Sequence, residues 1–378
     1  MIIFSLFLCF YIVNFNILFV FSLTPYLRDV LGFTSVEVGI FVSIFSATAF
    51  CINLLIGPVI NKIGYRNSIV YGSFLCSIIF FLHAQFKSSE ALIFLRFVTG
   101  CIMPVIGISI LPYINSLYAK EELVEKTGRA MAASSLAQIT SLPIGSLIGV
   151  YMDWSTPFYL ISLLLFISFL IGFFFIKEGR PINKKIDVGY FKVYSILLKE
   201  KDHLKVVISF IMIVFSIFLL ITTFPTWFSN SFSEKGYETP LVLLFSGLSA
   251  MIGSNYSYQF GTLINKEKPA LGLLVLLTIF YVPIYIVFDT FGILISSIVF
   301  VVYSMFRQSL IPHLATNFFK IGGKEQSTHV SAMFNASTQI AISASALVSG
   351  IIYSCFGMNT LILISALISL LSITTLRK

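Results

Sequence analysis

Gly57-Pro58-Val59-Ile60-Asn61-Lys62-Ile63-Gly64-Tyr65-Arg66 separates two long apolar runs, 36–59 and 68–86. A related stretch, Gly261-Thr262-Leu263-Ile264-Asn265-Lys266, ends another apolar run 204 residues later, since 261 − 57 = 204. Other pairs recur at nearly the same offset. Leu111-Pro112-Tyr113 is answered by Ile311-Pro312-His313 at 200, Pro25 by Pro225 at 200, and both Gln138-Ile139 and Gly149 by Gln339-Ile340 and Gly350 at 201. One match carries little weight, but a set at one offset implies a duplicated unit whose copies are related by an axis along the membrane normal.

Composition agrees with a chain that lives in lipid. Of 378 residues, 57% are hydrophobic and 11% charged, with 40 Phe and a mean hydropathy of +0.97. Soluble domains carry about 25% charged residues, so a soluble enzyme, a secreted domain and a disordered chain are excluded. The net charge of +8 is not gathered on one basic face, which argues against nucleic acid as a partner. Cys9, Cys51, Cys76, Cys101 and Cys355 all lie in apolar runs without a CxxC pair or a nearby His, so they read as small packing residues. The N-terminus has no basic n-region and no cleavage site, and Met1 onward reads as a first spanning helix.

A helix crosses a bilayer with about 20 apolar residues. Such runs fall near 3–27, 36–59, 68–86, 91–117, 129–151, 157–176, 206–228, 240–260, 270–288, 291–318, 328–354 and 358–376. The expectation is an all-α membrane protein with twelve transmembrane helices in two pseudo-symmetric six-helix bundles. The first bundle is 1–177, the second 206–378, and 178–205 is a basic cytoplasmic linker. Nineteen of the 24 Lys and Arg fall on one side of that arrangement. The other side holds Arg28, Lys87 and Lys235, and Arg96 and Arg307 lie within runs. The positive-inside rule then makes both termini cytoplasmic and the protein multi-pass in the cell membrane.

With twelve runs, a basic central linker and parallel halves, the chain resembles the major facilitator superfamily. That family's loop between helices 2 and 3 reads G-x-x-x-D-R-x-G-x-R. Gly57, Gly64 and Arg66 match it, while Asn61 and Lys62 replace Asp and Arg. Arg96-x-x-x-Gly100 is similar to a second family motif. Gly145-Ser146-Leu147-Ile148-Gly149-Val150 keeps part of the exporter pattern G-P-x-x-G-G, and Asp153-Trp154 and Pro157-Phe158-Tyr159-Leu160 also look like the drug and metabolite exporter branch.

The resemblance implies a secondary transporter working by alternating access, with small-molecule substrate and lipid bilayer as partners. It also implies no cofactor or metal, protons as the coupling ion, a monomer, and efflux as the direction. Import of a small anionic or polar nutrient is the alternative. A membrane enzyme or sensor lacks support, because no paired carboxylates, His cluster or appended soluble domain is visible.

Physical reasons for the candidate residues can be given separately. Ser134, Gln138, Ser141, Gly145 and Gly149 share one helix face, and Asn335, Gln339, Ser343, Ala346 and Gly350 repeat it. The Gly ends read as a sliding helix contact. The Gln ends read either as cavity wall or as interhelical glue. Gly57, Asn61, Lys62, Gly64, Arg66, Arg96 and Gly100 are expected to serve conformational change, with the 57–66 loop as a cytoplasmic latch or a plain solvated turn.

Every Asp and Glu falls at a run end or in a loop, which leaves the two arginines as the informative charges. Arg96, a few residues into its run, is expected to snorkel outward. Arg307 sits halfway along its run, on one polar strip with Tyr303, Ser304 and Gln308. Its guanidinium either receives an anionic or hydroxyl-rich ligand or bonds to backbone as glue. His313 and His83 read as packed and neutral. Asn14, Asn16, Asn53, Asn255, Tyr256 and Gln259 complete the expected cavity lining. The expected substrate-binding set is Asn14, Asn16, Gln138, Asn255, Tyr303, Arg307, Gln308 and Gln339.

Overall fold

The structure is a computed structural model that describes residues 2–117, 120–176, 194, 197–232, 237–321 and 327–377. Most of the expected linker lies outside these, as do the side chains of Asn61 and Gln138 and the surroundings of Gly149.

The described residues are helical almost throughout. The N-terminal helices are α1 (Ile2–Ser22), α2 (Thr24–Asp29), α3 (Ser35–Leu55), α4 (Gly57–Ile63), α5 (Tyr65–Gln85), α6 (Ser89–Leu117), α7 (Lys120–Tyr151) and α8 (Thr156–Phe175). The C-terminal helices are α9 (Lys201–Phe232), α10 (Glu238–Asn255), α11 (Ser257–Ile264), α12 (Pro269–Thr290), α13 (Ile293–Phe319) and α14 (Ser327–Arg377).

Local sequence explains the boundaries. Pro25, Pro58, Pro157 and Pro269 each stand in the first turn of a helix, where the missing N–H costs nothing. Thr34 and Glu37 form a reciprocal capping box that starts α3. Gly64 turns α4 into α5 at φ +87° and ψ 151°, a conformation essentially closed to residues with a Cβ. Gly357 breaks α14 into two arms at φ +78°.

Nine helical segments among the described residues are long and apolar enough to cross a membrane, fewer than the twelve runs expected. The difference has physical causes. The helix α7 begins with Lys120-Glu121-Glu122 and is rich in small and polar residues, so only Ile139–Ile148 registers as a shorter apolar piece. The eighth run is divided between α10 and α11. The eleventh and twelfth are the two arms of α14 and merge into one segment, Ala332–Thr375.

Packing repeats between the two ends of the chain. The helix α1 packs on α7 as α9 packs on α14; α3 packs on α6 as α10 packs on α13; α5 meets α8 as α12 meets α14. The polar contacts repeat as well. Ser77 and Ser162 join α5 to α8 by reciprocal bonds of 3.0 and 2.8 Å, and Thr278 and Ser369 join α12 to α14 at 2.6 Å. Those pairs differ by 278 − 77 = 201 and 369 − 162 = 207 residues. Ser5 meets Ser168 across α1 and α8, and Ser209 meets Thr375 across α9 and α14, at offsets of 204 and 207. Small hydroxyl residues hold helices together in lipid, where no hydrophobic effect drives helix onto helix. Outward faces carry large apolar side chains such as Phe174 and Leu294, as lipid contact requires.

Candidate functional site

The N-terminal helices meet the C-terminal ones along α3 with α14 and α7 with α10. Glycine permits each approach. A Cβ at Gly39 would stand 3.1 Å from the Ala346 carbonyl oxygen, and one at Gly247 only 2.8 Å from that of Ile139. These are the same contact made twice, because 247 − 39 = 208 and 346 − 139 = 207. A Cβ at Gly350 would meet the Ser35 oxygen at 2.6 Å. Near the pseudo-axis, Thr24 and Thr226, themselves 202 residues apart, share a hydroxyl hydrogen bond of 2.8 Å. Equivalent residues of two repeats touch each other only where the axis passes between them. All these contacts lie toward the helix ends that carry Arg28, away from the ends rich in Lys.

Gly39 and Gly247 were not among the residues singled out above; Gly350 was, as the Gly end of the second polar face, and it does stand at a close helix contact. The available signal was a glycine inside a long helix, which usually marks a close backbone approach. Gly145 does make a close helix contact, but within the N-terminal helices. Its missing Cβ would strike the Ser22 hydroxyl and approach the Phe19 oxygen at 3.1 Å, so the contact it permits is that of α1 with α7. Gly100 likewise lets α6 meet α3, at 2.6 Å from the Phe45 oxygen.

Arg96 is the clearest correction. It does not snorkel; its side chain is 1% exposed. One guanidinium nitrogen donates to Asn16 Oδ1 at 2.8 Å, and the charge lies over the rings of Phe41 and Phe45 at 5.2 and 4.8 Å. Asn16 is therefore fully buried, with Oδ1 taken by Arg96 and Nδ2 without a hydrogen-bond partner among the described residues, and it lines no open cavity in this arrangement. His83 is fully buried too, in a cluster of mutually stacked rings with Phe80 and Phe158, and its Nδ1 lies on the Ile79 carbonyl.

Arg66 caps the end of α8, donating from Nε to the Ile176 oxygen at 2.7 Å and from Nη2 to the Phe173 oxygen at 3.3 Å. That fastens α5 to α8 within the N-terminal helices. Lys62 is exposed, and Gly57 opens α4. Asn265, the counterpart of Asn61, accepts from the backbone N–H of Glu267 and Lys268, a local turn needing no ionic partner.

The expected binding residues divide into two sets. Asn14 lies at the α1–α7 seam, its Oδ1 accepting from Ser134 at 3.1 Å and its Nδ2 donating to Phe10. Beside it, Tyr11 and Thr140 share a hydroxyl bond of 2.8 Å, a pair the sequence reading did not include. Tyr303 is fully buried, and its hydroxyl lies 3.2 Å from that of Tyr281, which also reaches the Ser216 oxygen. Tyr303 therefore helps lock α9, α12 and α13 together and does not face a ligand.

One turn on, Arg307 is partly buried and makes no ion pair among the described residues; its Nε is buried without a hydrogen-bond partner there. Gln339 Oε1 on α14 is in the same condition. Gln308 is 9% exposed on the neighbouring strip, and Asn255 is exposed at the end of α10. No group of three or more metal-ligating side chains occurs among the described residues.

Comparison with known proteins agrees with this architecture. Residues 3–346 match the model of the Major Facilitator Superfamily. The chain is 24% identical over 234 residues to the chromaffin granule amine transporter of Rattus norvegicus, covering 61% of this chain and 44% of that one. It is 24% identical over 186 residues to multidrug resistance protein MdtG of Proteus mirabilis (strain HI4320), covering 47% and 46%. The aligned part thus spans about half the length of these relatives. Among solved structures, the nucleoside transporter NupG superposes with a TM-score of 0.78 at 15% identity, covering 98% of this chain and 99% of that chain. With apolar helices of spanning length, paired repeats and a family match over nearly its whole length, the chain belongs to the Major Facilitator Superfamily, whose members are membrane transporters and not enzymes.

Proposed function

We propose that this protein is a secondary transporter of the cell membrane that moves a small organic solute by alternating access, in the direction of efflux. Twelve crossings are counted by dividing α14 at Gly357 and by treating α1 with α2, α3 with α4, and α10 with α11 as single interrupted spans. Both termini then lie in the cytoplasm, and the bundles 1–177 and 206–378 rock about the pseudo-axis while 178–205 connects them. The observation that carries this reading is the repeated glycine contact between halves, Gly39 on Ala346 and Gly247 on Ile139. Two such contacts related by an axis form a seam that opens and closes as one unit. The seam is shut toward the Arg28 ends, so the substrate path opens toward the Lys-rich, cytoplasmic ends.

Asn14, Gln138, Asn255, Arg307, Gln308 and Gln339 are the proposed substrate contacts, with protons as the coupling ion and the monomer as the working unit. Efflux is favoured by the exporter-like pattern from Gly145 to Val150 and by the likeness to MdtG. Arg307 without an acidic mate favours the second reading, import of an anionic or polar nutrient, because a guanidinium in a water-filled cavity attracts an anionic group. Proteoliposomes holding the purified protein, offered labelled organic amines, nucleosides and uronates with and without a proton gradient, test both readings. Proton-driven movement of an amine supports the first. Movement of a uronate, abolished in Arg307→Gln, supports the second. No movement of any compound under either gradient counts against transport by this chain.

A further inference from the structure

We infer that the cavity between α9, α13 and the second arm of α14 binds a phosphate group, carried by an anionic lipid headgroup or free in solution. Its volume is about 370 Å³, inside the range of about 300–1,000 Å³ typical of small-ligand sites. The part-exposed Lys205 and the exposed Lys320 line it together with Asn317, and the buried side chains of Phe210 and Leu314 form an apolar floor. The hydroxyls of Ser209 and Thr375, 2.6 Å apart, complete the polar wall.

The charges and donors fit an anion with several oxygens. Asp202 offsets Lys205 at 2.9 Å, but its own side chain is 88% exposed. Lys320 is exposed and makes no ion pair among the described residues. Two cations against one carboxylate leave the lining positive, and Lys199-Glu200-Lys201 just before it adds one further net positive charge. Asn317 makes no hydrogen bond among the described residues, so its amide is an available donor. The Ser209 and Thr375 hydroxyls donate to the Lys205 and Ser372 carbonyls, so Lys320, the Lys205 ammonium shared with Asp202 and the Asn317 amide are the groups left to hold an anion's oxygens at this opening. Basic pockets between membrane helices on the cytoplasmic side are a recurrent form of headgroup recognition. The cavity shares no residue with the proposed substrate contacts, and the inference holds for either direction of transport.

Full-length protein in detergent is titrated with inorganic phosphate while its melting is followed. The same protein is taken from phosphatidylcholine vesicles with and without phosphatidylglycerol, and retained lipid is counted by native mass spectrometry. Lys205→Gln with Lys320→Gln should weaken binding roughly thirtyfold, at about 1 kcal/mol per lysine. Leu314→Trp, which fills the floor and keeps every surface charge, should abolish it, and it decides the matter if the double variant does not fold. Retained phosphatidylglycerol with no response to inorganic phosphate identifies a headgroup as the source; displacement by inorganic phosphate identifies the free anion as well. If wild type and Leu314→Trp bind both probes equally, the cavity is not the site and the inference is overturned.

Discussion

Gly247→Leu is the sharpest perturbation of the seam between halves. An ideal Cβ at 247 lies 2.8 Å from the Ile139 oxygen and 3.1 Å from its Cα, where ordinary contact begins near 3.4 Å. Even alanine therefore asks α7 and α10 to part by about 0.6 Å, because 3.4 − 2.8 = 0.6 and the obstacle is backbone. Leucine adds three more carbons at the same place. Overpacking of this kind costs about 1–3 kcal/mol. The cost falls only on the arrangement in which the seam is shut, so the equilibrium should move toward the opposite arrangement by roughly five- to 150-fold. Spin labels at Val30→Cys and Tyr237→Cys, both exposed near the shut ends, report this as a distance distribution in nanodiscs. Gly247→Leu should lengthen the dominant distance, and Gly247→Ala should do so partially. A well-folded Gly247→Leu protein with the wild-type distribution would refute the claim that this contact holds the seam.

Asn16→Ala should destabilise the protein by about 1.5–3 kcal/mol, since it leaves the buried Arg96 guanidinium without its side-chain acceptor; thermal melting checks this, and an unchanged midpoint would show the pair to be dispensable. Arg66→Ala should cost about 1–2 kcal/mol by uncapping the last carbonyls of α8, with Arg66→Lys losing less, measured the same way. Arg307→Gln should weaken binding of the transported solute roughly ten- to hundredfold while the protein still inserts, and Arg307→Lys should weaken it less. Normal affinity in Arg307→Gln would remove Arg307 from the substrate contacts.

The parts of the fold written in single-residue repeats were legible early. Pro25 with Pro225 and Asn61 with Asn265 announced the duplication, and the hydroxyl pairs Ser77–Ser162 and Thr278–Ser369 are its expression in three dimensions. What the sequence could not supply was lateral neighbourhood. The position of Arg96 along its run gives depth in the bilayer, but Asn16, Phe41 and Phe45 arrive from two other helices, and they turn an expected surface charge into a buried one. The strip holding Tyr303 was visible as polar, while Tyr281, its partner, sits in an apolar run and gave no sign of pairing. Gly39 and Gly247 were visible as helix glycines, but which backbone each one admits depends on how the two repeats are placed across the axis.

The most direct test of alternating access is a lock at the axis. Thr24 and Thr226 hydroxyls lie 2.8 Å apart, so Thr24→Cys with Thr226→Cys, in a background with Cys51, Cys101 and Cys355 changed to Ser, should form a disulfide on mild oxidation. The oxidised protein in proteoliposomes should move the solute found in the panel at less than about a tenth of the reduced rate, on the order of the loss expected when one of two required states is removed. Reduction should restore the rate. Full transport with the disulfide shown to be intact would contradict the proposal that the halves must part at this end.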